Sequence, residues 1–174
     1  TYGLVSRYGT MPLSFSLDHI GPLTRTVTDC ALLTQIISGP DENDPTSLKH
    51  QKQDYLENIE SGINGIKIGV PRTHFFDNID GEVLREMEKS LEVFRVLGAE
   101  ILEIDLPESF NLSNEMANII TAVEGNSAHK KWLKDRPEDY GRQTWKRLLS
   151  GSMIFAHDYL EALKLRKVIL KEFL

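Results

Sequence analysis

The residues whose types and spacing best suit covalent chemistry are a serine and a lysine three positions apart, Ser127 and Lys130. On a helix, residues at i and i+3 lie on the same face, so a deprotonated Lys130 amine could act as the base for Ser127. This S-x-x-K spacing fixes only two positions, and the S-D-N and K-T-G motifs that accompany it in Ser/Lys acyl-transfer enzymes are absent from the sequence. A complete small hydrolase built on this pair is therefore an alternative that the residues leave open.

Asp18 is an acidic residue with apolar neighbours in sequence. Phe15, Leu17 and Ile20 surround it, so we expect its carboxylate to be substantially buried. A buried charge without a partner is costly, and Arg25 is the nearest arginine or lysine in the sequence. We therefore predict a charge-paired Asp18, with Arg25 or a residue from outside 1–174 as its partner. The pair can be interpreted as a structural ion pair or as support for an adjacent active site.

Composition excludes several classes of function. The five histidines have no metal-ligand spacing, and no glycine-rich nucleotide loop follows a strand, so neither a metal nor another cofactor is predicted. A formal net charge of −6, with basic residues interspersed among acids, argues against nucleic acid and anionic membranes as partners. No run of 18 apolar residues is long enough for a membrane span. A single cysteine, Cys30, excludes an intrachain disulfide framework and fits a cytoplasmic location.

The elements that must position these side chains begin with a capped helix. Thr26 is a predicted N-cap with Asp29 at N3, as in a capping box, and Gly39 followed by a proline ends the helix. The pattern predicts a helix over Thr26–Ser38. Two flanking elements are also predicted: one or two short strands within Gly3–Leu13 and a short helix over Asp54–Ser61.

The middle of the chain has the pattern of a strand–helix–strand unit. Apolar strands are predicted over Ile66–Val70 and Ala99–Leu106, and an amphipathic helix capped by Asp80 is predicted over Glu82–Leu97. This order indicates two parallel strands joined by a crossover helix.

The C-terminal part is predicted to be helical. We expect helices over Ser113–Lys134 and Thr144–Leu149 and a third from Ser152 to the end of the chain. Arg166 interrupts an otherwise apolar stripe of that last helix. We expect Arg166 to pair with a buried carboxylate or to reach a cleft.

Several segments resemble the amidase signature family. Residues Ser16–Asp29, S-L-D-H-I-G-P-L-T-R-T-V-T-D, closely resemble the S-L-D-x-x-G-P-x-x-R-T-V-x-D motif of that family. Four shorter segments also resemble it: Thr1–Ser6 (the end of K-P-T-x-G-x-V-S), Gly39–Asp44 (G-x-D-x-x-D), Lys67–Pro71 (K-I-G-V-P) and Tyr159–Arg166 (Y-x-x-A-x-x-x-R). The resemblance is strong over residues 1–47 and diffuse afterwards.

The resemblance implies an α/β fold, an α/β/α sandwich around a mixed sheet. Residues 1–174 would form a single partial domain, with an α/β part over 1–110 and a helical part over 111–174. It also implies hydrolysis of carbon–nitrogen amide bonds to a carboxylate and ammonia or an amine, by a serine, a second serine in a cis peptide and a lysine. These three residues precede the K-P-T motif in the family, so no residue of 1–174 is assigned a catalytic role. The chain alone is expected to be inactive.

The second half of such enzymes shapes the substrate pocket. By position, Trp132 and Arg147 resemble residues that hold substrate in glutamine-using relatives, and Arg166 is a third candidate for substrate binding. The segment Asn126–Trp132 departs from the N-L-x-R-[YF]-D-G pattern of those relatives, which favours a general amidase over a subunit of a glutamine amidotransferase. The other alternative is a non-catalytic binding or assembly module derived from an amidase. The expected partner of the parent protein is a small-molecule amide.

An incomplete sandwich would leave part of its core uncovered. We expect exposure of apolar side chains near the start of the chain and on the last helix: Leu13, Phe15, Leu17, Phe155 and Tyr159. Large exposed apolar patches favour association, so a homo-oligomer or self-association of residues 1–174 is predicted.

Overall fold

The computed structural model describes residues 1–50 and 53–174, which form two compact units. The first unit combines Thr1–Ile59 with Asn114–Arg166, and the second combines Glu60–Ser113 with Lys167–Leu174. Helices dominate both the first unit and the C-terminal part of the chain, and the second unit contains a small parallel sheet. The mixed α/β character that the sequence predicts is therefore confirmed.

Helix α1 (Val27–Ile37) has the cap that the sequence predicts. The Thr26 hydroxyl accepts a hydrogen bond from the Asp29 backbone N–H at 3.1 Å, which satisfies one of the free amides of the first turn. The chain before α1 forms turns and a single antiparallel bridge between Val5 and Ser38. The prediction of strands within Gly3–Leu13 is therefore wrong beyond that bridge.

The predicted strand–helix–strand unit is confirmed in the second unit. Strands β1 (Lys67–Pro71) and β2 (Glu100–Ile104) pair in parallel, in a register that opposes Lys67 to Glu100 and Pro71 to Ile104. Helix α2 (Gly81–Val96) lies between them in sequence. The Asp80 carboxylate caps it by accepting a hydrogen bond from the Glu82 N–H at 2.7 Å. The buried apolar residues of this unit include Val70, Leu91, Ala99 and Ile169.

Three helices make up most of the C-terminal part: α3 (Ser113–Asp135), α4 (Arg142–Ser150) and α5 (Ala156–Phe173). Helix α5 starts four residues later than predicted, because the Ser152 hydroxyl donates back to the Leu149 carbonyl at 2.7 Å and residues Gly151–Met153 form a 3₁₀ turn. Shorter 3₁₀ turns cover Glu108–Leu112 and Pro137–Asp139. None of the helices that the structure describes has both the length and the apolar character needed to cross a bilayer.

The helix predicted over Asp54–Ser61 is not formed. The region consists of turns, in which the Asp54 carboxylate accepts a hydrogen bond from the Leu56 N–H at 2.9 Å and the Tyr55 N–H donates to the Gln35 side chain at 3.0 Å. A short helix gains few backbone hydrogen bonds for the residues it orders. Local side-chain bonding to the backbone therefore competes successfully with it.

The predicted exposure of apolar side chains is confirmed for three residues. Leu13, Phe15 and Phe155 are 47%, 55% and 68% exposed. Leu17 and Tyr159 are only half-buried, which is less exposure than expected.

Candidate functional site

An open cleft of about 680 Å³ lies in the first unit between α3, α4 and the loop that precedes α1. Its apolar lining comes from Leu13, Ala122 and Leu148. Its polar lining consists of Asn118, Thr121, Thr144, Arg147 and Ser150. A concave surface that combines apolar side chains with several polar groups and one cation can hold a small molecule.

Two glycines allow the walls of this cleft to approach closely. A Cβ atom on Gly125 of α3 would lie 2.8 Å from the Leu148 side chain and 3.3 Å from the Leu13 carbonyl oxygen. A Cβ atom on Gly151 would lie 1.9 Å from the Ala122 carbonyl oxygen. The Asn126 side chain adds a hydrogen bond to the Leu148 carbonyl at 3.0 Å. Because Gly125 and Gly151 have no side chains, α3 can approach α4 and the turn that follows it this closely.

Arg147 is the one charged residue among the described residues that line the cleft, and it is exposed. A guanidinium presents several fixed N–H donors, which suit a carboxylate or a carbonyl oxygen. The hydroxyl and amide groups around Arg147 can donate to or accept from a polar ligand. The cleft can therefore bind and orient a small molecule that carries an oxygen acceptor and an apolar group.

A buried carboxylate lies on α3 beside this cleft. Glu124 is 1% exposed, and its two oxygens accept hydrogen bonds from the Ser14 hydroxyl at 2.5 Å, the Ser16 N–H at 3.0 Å and the Ser16 hydroxyl at 2.7 Å. The Tyr159 hydroxyl of α5 donates a fourth hydrogen bond at 2.8 Å. Glu124 thus connects the loop before α1 to both α3 and α5.

Hydrogen bonding keeps this carboxylate ionised. Burial raises the pKa of Glu124, but the hydrogen bonds from Ser14, Ser16 and Tyr159 outweigh burial and hold the pKa below its ordinary value. Burial, the hydrogen bond to Glu124 and its negative charge raise the pKa of Tyr159 to about 12, against a smaller opposing effect of the Arg166 charge. Tyr159 is therefore a neutral donor at physiological pH.

The predicted ion pair between Asp18 and Arg25 is wrong. Asp18 is half-buried, and its carboxylate accepts hydrogen bonds from the N–H groups of Leu13 at 2.9 Å and Ser14 at 3.0 Å. Arg25 is exposed, and no ion pair joins it to Asp18 in the part of the chain that the structure describes. Backbone amides supply the compensation that we expected from a guanidinium, because a carboxylate accepts from N–H donors as well as from cations.

The other predicted site residues lie apart from one another. Arg147 lines the cleft, whereas Trp132 and Arg166 do not. Trp132 is half-buried, and its ring contacts His129 edge-on at 5.6 Å between centroids. Arg166 is half-buried on α5, where its charge acts on Tyr159. Neither predicted alternative for Arg166 is observed among the described residues, because no ion pair joins it to a carboxylate and it does not line the cleft. The hydrogen bond from α5 to the buried Glu124 comes from Tyr159 instead.

Ser127 and Lys130 do not form a catalytic pair in this structure. Both are exposed on α3, and among the described residues no hydrogen bond joins the Ser127 hydroxyl to the Lys130 amine. Within residues 1–50 and 53–174, no cluster of three or more potential metal ligands is present.

Sequence reasoning did not identify Glu124, although a signal was present. Ile120 is fully buried and lies one helical turn before it, so the two share a face of α3. An acidic residue at that position on an apolar face indicates a partner from another element. The partners themselves, Ser14 and Ser16, lie more than 100 positions away in sequence.

A second buried charge ties the start of the chain to the loop after α1. Asp44 accepts hydrogen bonds from the Arg7 N–H at 2.8 Å and from the Thr46 N–H and hydroxyl at 2.9 and 2.6 Å, and its carboxylate lies 3.8 Å from Arg7 Nε. The Arg7 guanidinium also donates to the Phe15 carbonyl and to the Thr46 hydroxyl. Hydrogen bonds from Thr46 and Arg7 lower the pKa of Asp44 from 3.8 to about 2.

This network predicts a loss of stability in acid. Because the folded-state pKa of Asp44 lies below the unfolded value of 3.8, its contribution is complete above about pH 5 and is lost as the pH falls toward about 2. Urea unfolding at pH 6, 4 and 3 should show a steeper loss of stability for the wild type than for Asp44→Asn. The exposed neighbour Glu42 provides the control, since Glu42→Gln should retain the wild-type slope. Parallel pH profiles for the wild type and Asp44→Asn would refute the role of Asp44.

These features define an α/β protein with an open cleft of mixed apolar and polar lining, and comparison with known proteins gives its family. A family model described as Amidase matches residues 1–174. The chain belongs to the amidase family, as its resemblance to the amidase signature motifs indicates.

The chain is similar to two kinds of curated relative. It is 37% identical over 197 positions to a glutamyl-tRNA(Gln) amidotransferase subunit of Clostridium acetobutylicum, covering 99% of this chain and 41% of that protein. It is 36% identical over 169 positions to an amidase of Pseudomonas putida, covering 97% of this chain and 36% of that protein. The chain therefore spans about two fifths of the length of these relatives.

A solved structure supports the same relationship. The chain matches a glutamyl-tRNA(Gln) amidotransferase subunit of Thermotoga maritima with a TM-score of 0.77 and 34% identity, over 99% of this chain and 37% of that one. The fold of residues 1–174 is thus that of one portion of an amidase signature protein.

Proposed function

We propose that residues 1–174 are a portion of an amidase that hydrolyses carbon–nitrogen amide bonds. In this reaction the oxygen of water bonds to the acyl carbon, the C–N bond breaks, and the nitrogen takes a proton and leaves as ammonia or an amine. The match of the amidase family over the whole chain carries this proposal. The cleft around Arg147 supports it, because it offers polar groups for an amide and apolar surface for its substituent.

The lengths of the alignments favour a general amidase over an amidotransferase component. The alignment with the Clostridium protein runs over 197 positions, whereas this chain has 174 residues, so at least 23 positions of that protein have no counterpart here. The alignment with the Pseudomonas amidase covers 97% of this chain in 169 positions, so that amidase has no comparable set of additional positions. The departure of Asn126–Trp132 from the glutamine-using pattern points the same way. A glutamine amidotransferase subunit is the second candidate, supported by the identity of 37% to the Clostridium protein.

The remaining features of this proposal follow from the family resemblance. The parent protein would form an α/β/α sandwich around a mixed sheet, act in the cytoplasm on a small-molecule amide, and carry its serine, cis-serine and lysine outside residues 1–174. Within this chain, we propose that Arg147 contributes to substrate binding. Asp18 supports the loop that reaches the cleft, through its bonds to Leu13 and Ser14. Roles for Trp132, Arg166 and Arg25 stay predictions, as does self-association of the chain through its exposed apolar side chains.

Ammonia release by the full-length protein tests the proposal. We expect hydrolysis of simple primary amides. We expect Arg147→Ala to raise KM about tenfold with kcat little changed, because the lost interaction would stabilise the bound substrate and the transition state equally. Arg142 lies on the same helix, is exposed and does not line the cleft, so Arg142→Ala should leave both constants unchanged. Full-length protein that hydrolyses no amide would contradict the proposed function. Glutamine as the only substrate would support the amidotransferase alternative instead.

A further inference from the structure

We propose that Leu13 is a specificity-determining residue of the cleft and that Glu124 is the positioning residue that holds it in place. The proposal rests on the proposed function, since it assumes that the cleft binds the apolar part of an amide substrate. It assigns substrate selection to a loop residue and positioning to a buried carboxylate, and it gives neither residue a catalytic role.

Leu13 differs from the other described residues of the cleft lining, because all of them belong to α3 or α4. It reaches the cleft because the loop crosses α3 at Gly125, where an added Cβ atom would lie 3.5 Å from a Leu13 methyl group. The Leu13 side chain is nevertheless about half exposed, so it offers apolar surface to a ligand in the cleft. Its size should therefore limit the size of the group that the cleft accepts.

Hydrogen bonds fix the loop backbone on both sides of Leu13. The Leu13 N–H donates to Asp18, and His129 Nε2 of α3 lies 2.8 Å from the Pro12 carbonyl oxygen. On the other side, Ser14 donates its N–H to Asp18 and its hydroxyl to Glu124. Leu13 thus lies on a loop that cannot withdraw from the cleft without breaking several hydrogen bonds, one of which, from Ser14 to Glu124, is buried. A side chain held in this way discriminates by size, because it does not adapt to a larger ligand.

Among the side chains of α3, Glu124 makes the largest number of hydrogen bonds to the loop that carries Leu13. Its Oε2 accepts from the Ser14 hydroxyl and the Ser16 N–H, and its Oε1 accepts from the Ser16 and Tyr159 hydroxyls. Only the Ser16 N–H among these groups must donate, since each hydroxyl can also accept. A glutamine can therefore replace Glu124 with its amide oxygen toward the Ser16 N–H and the Ser14 hydroxyl, and with its NH₂ toward the Ser16 and Tyr159 hydroxyls. An alanine cannot make any of the four bonds.

This difference gives a test of positioning that does not depend on activity. We expect the Ser16 amide of Glu124→Ala to exchange its hydrogen about tenfold faster than in the wild type, the effect of losing roughly one net hydrogen bond. Glu124→Gln should restore slow exchange. Glu115 is exposed on the same helix and does not line the cleft, so Glu115→Ala is the matched control and should show no change. Unchanged exchange in folded Glu124→Ala would overturn the positioning role.

The second test measures selectivity in the full-length protein. For aliphatic primary amides from propionamide to octanamide, Leu13→Ala should raise kcat/KM for the longest amide relative to the shortest by about tenfold, within the range for apolar pockets. Glu124→Ala should shift the same ratio through KM, and Glu124→Gln should restore it. Leu23 is fully exposed and does not line the cleft, so Leu23→Ala should leave the ratio unchanged.

The outcomes distinguish failure of the proposed function from failure of the roles given to the loop. If the wild type hydrolyses none of these amides, the proposed function fails, and the role of Leu13 in substrate selection fails with it. If the wild type is active and Leu13→Ala leaves the ratio unchanged, only the inference about Leu13 is overturned. If Glu124→Ala lowers stability without altering the ratio or the Ser16 exchange rate, Glu124 is merely structural.

Discussion

Replacing Gly151 with alanine is expected to lower the free energy of unfolding by about 3 kcal/mol, at the upper end of the usual cost of overpacking. The added Cβ atom would lie 1.9 Å from the Ala122 carbonyl oxygen, 2.5 Å from the Ala122 carbonyl carbon and 2.8 Å from the Asn126 Cβ atom. The two nearest atoms belong to the backbone of α3, so no side chain can rotate out of the way. Relief requires that α3 and the 3₁₀ turn after α4 move apart, which would displace Ala122 in the cleft lining.

Gly141 provides a matched control for this substitution. Apart from its two chain neighbours, no described residue has an atom within 4 Å of a Cβ added at Gly141, and its φ of −59° suits any residue. Gly141→Ala should therefore change stability by no more than about 0.5 kcal/mol, while sharing the same loss of backbone freedom in the unfolded chain. Thermal unfolding should place Gly151→Ala about 10 °C below Gly141→Ala. Equal melting temperatures for the two variants would contradict the close packing of α3 against this turn.

Elements with a strong local signal could be predicted from the sequence. The cap of α1 needs only Thr26 and Asp29, which are three positions apart, and the structure contains that bond. The parallel pair β1–β2 follows from two apolar strands separated by one capped amphipathic helix. These predictions succeeded because the determining interactions lie within a few turns or a single crossover unit.

Predictions failed where side chains bond to the backbone in place of regular structure. The segment Gly3–Leu13 has strand-like residues, but its backbone and side chains are engaged in turns and in bonds to the loop around Asp44 and Thr46. The Asp18 carboxylate accepts hydrogen bonds from two backbone N–H groups, whereas the sequence predicted an ion pair with the Arg25 guanidinium. A charge pattern in sequence shows that a carboxylate needs a partner, but it does not distinguish a backbone donor from a cation.

The candidate site was the least predictable part of the molecule. Arg147 was identified by resemblance and does line a cleft. The cleft itself depends on Leu13 approaching Gly125, and on Glu124 bonding to Ser14 and Ser16, across more than 100 positions of sequence. Contacts between residues so far apart in sequence depend on the packing of the whole unit, which local sequence patterns do not predict.

The largest functional effect that we predict is the complete absence of amide hydrolysis by residues 1–174 alone. Efficient amide cleavage by this family requires a nucleophile with an adjacent base. The one candidate pair in this chain, Ser127 and Lys130, is exposed and is not hydrogen-bonded in the described structure. Ser14 and Ser16, on the loop beside the cleft, are equally unsuited, because Ser14 is 1% exposed and the hydroxyls of both are engaged with Glu124. The Ser150 hydroxyl in the cleft lining donates to the Arg147 carbonyl at 2.7 Å and has no adjacent base among its described hydrogen-bond partners. Ser127→Ala should therefore leave the activity of the full-length protein unchanged.

The most direct test of this claim is to locate the nucleophile. The full-length protein would be labelled with a fluorophosphonate, which reacts with activated serines, and the modified serine would be identified by peptide mass spectrometry. We predict a single labelled serine outside residues 1–174 and no labelling of the 174-residue chain on its own. A label on Ser127 or on any other serine within residues 1–174, with loss of amide hydrolysis when that serine is replaced by alanine, would contradict the claim that this chain shapes the substrate cleft without supplying the nucleophile.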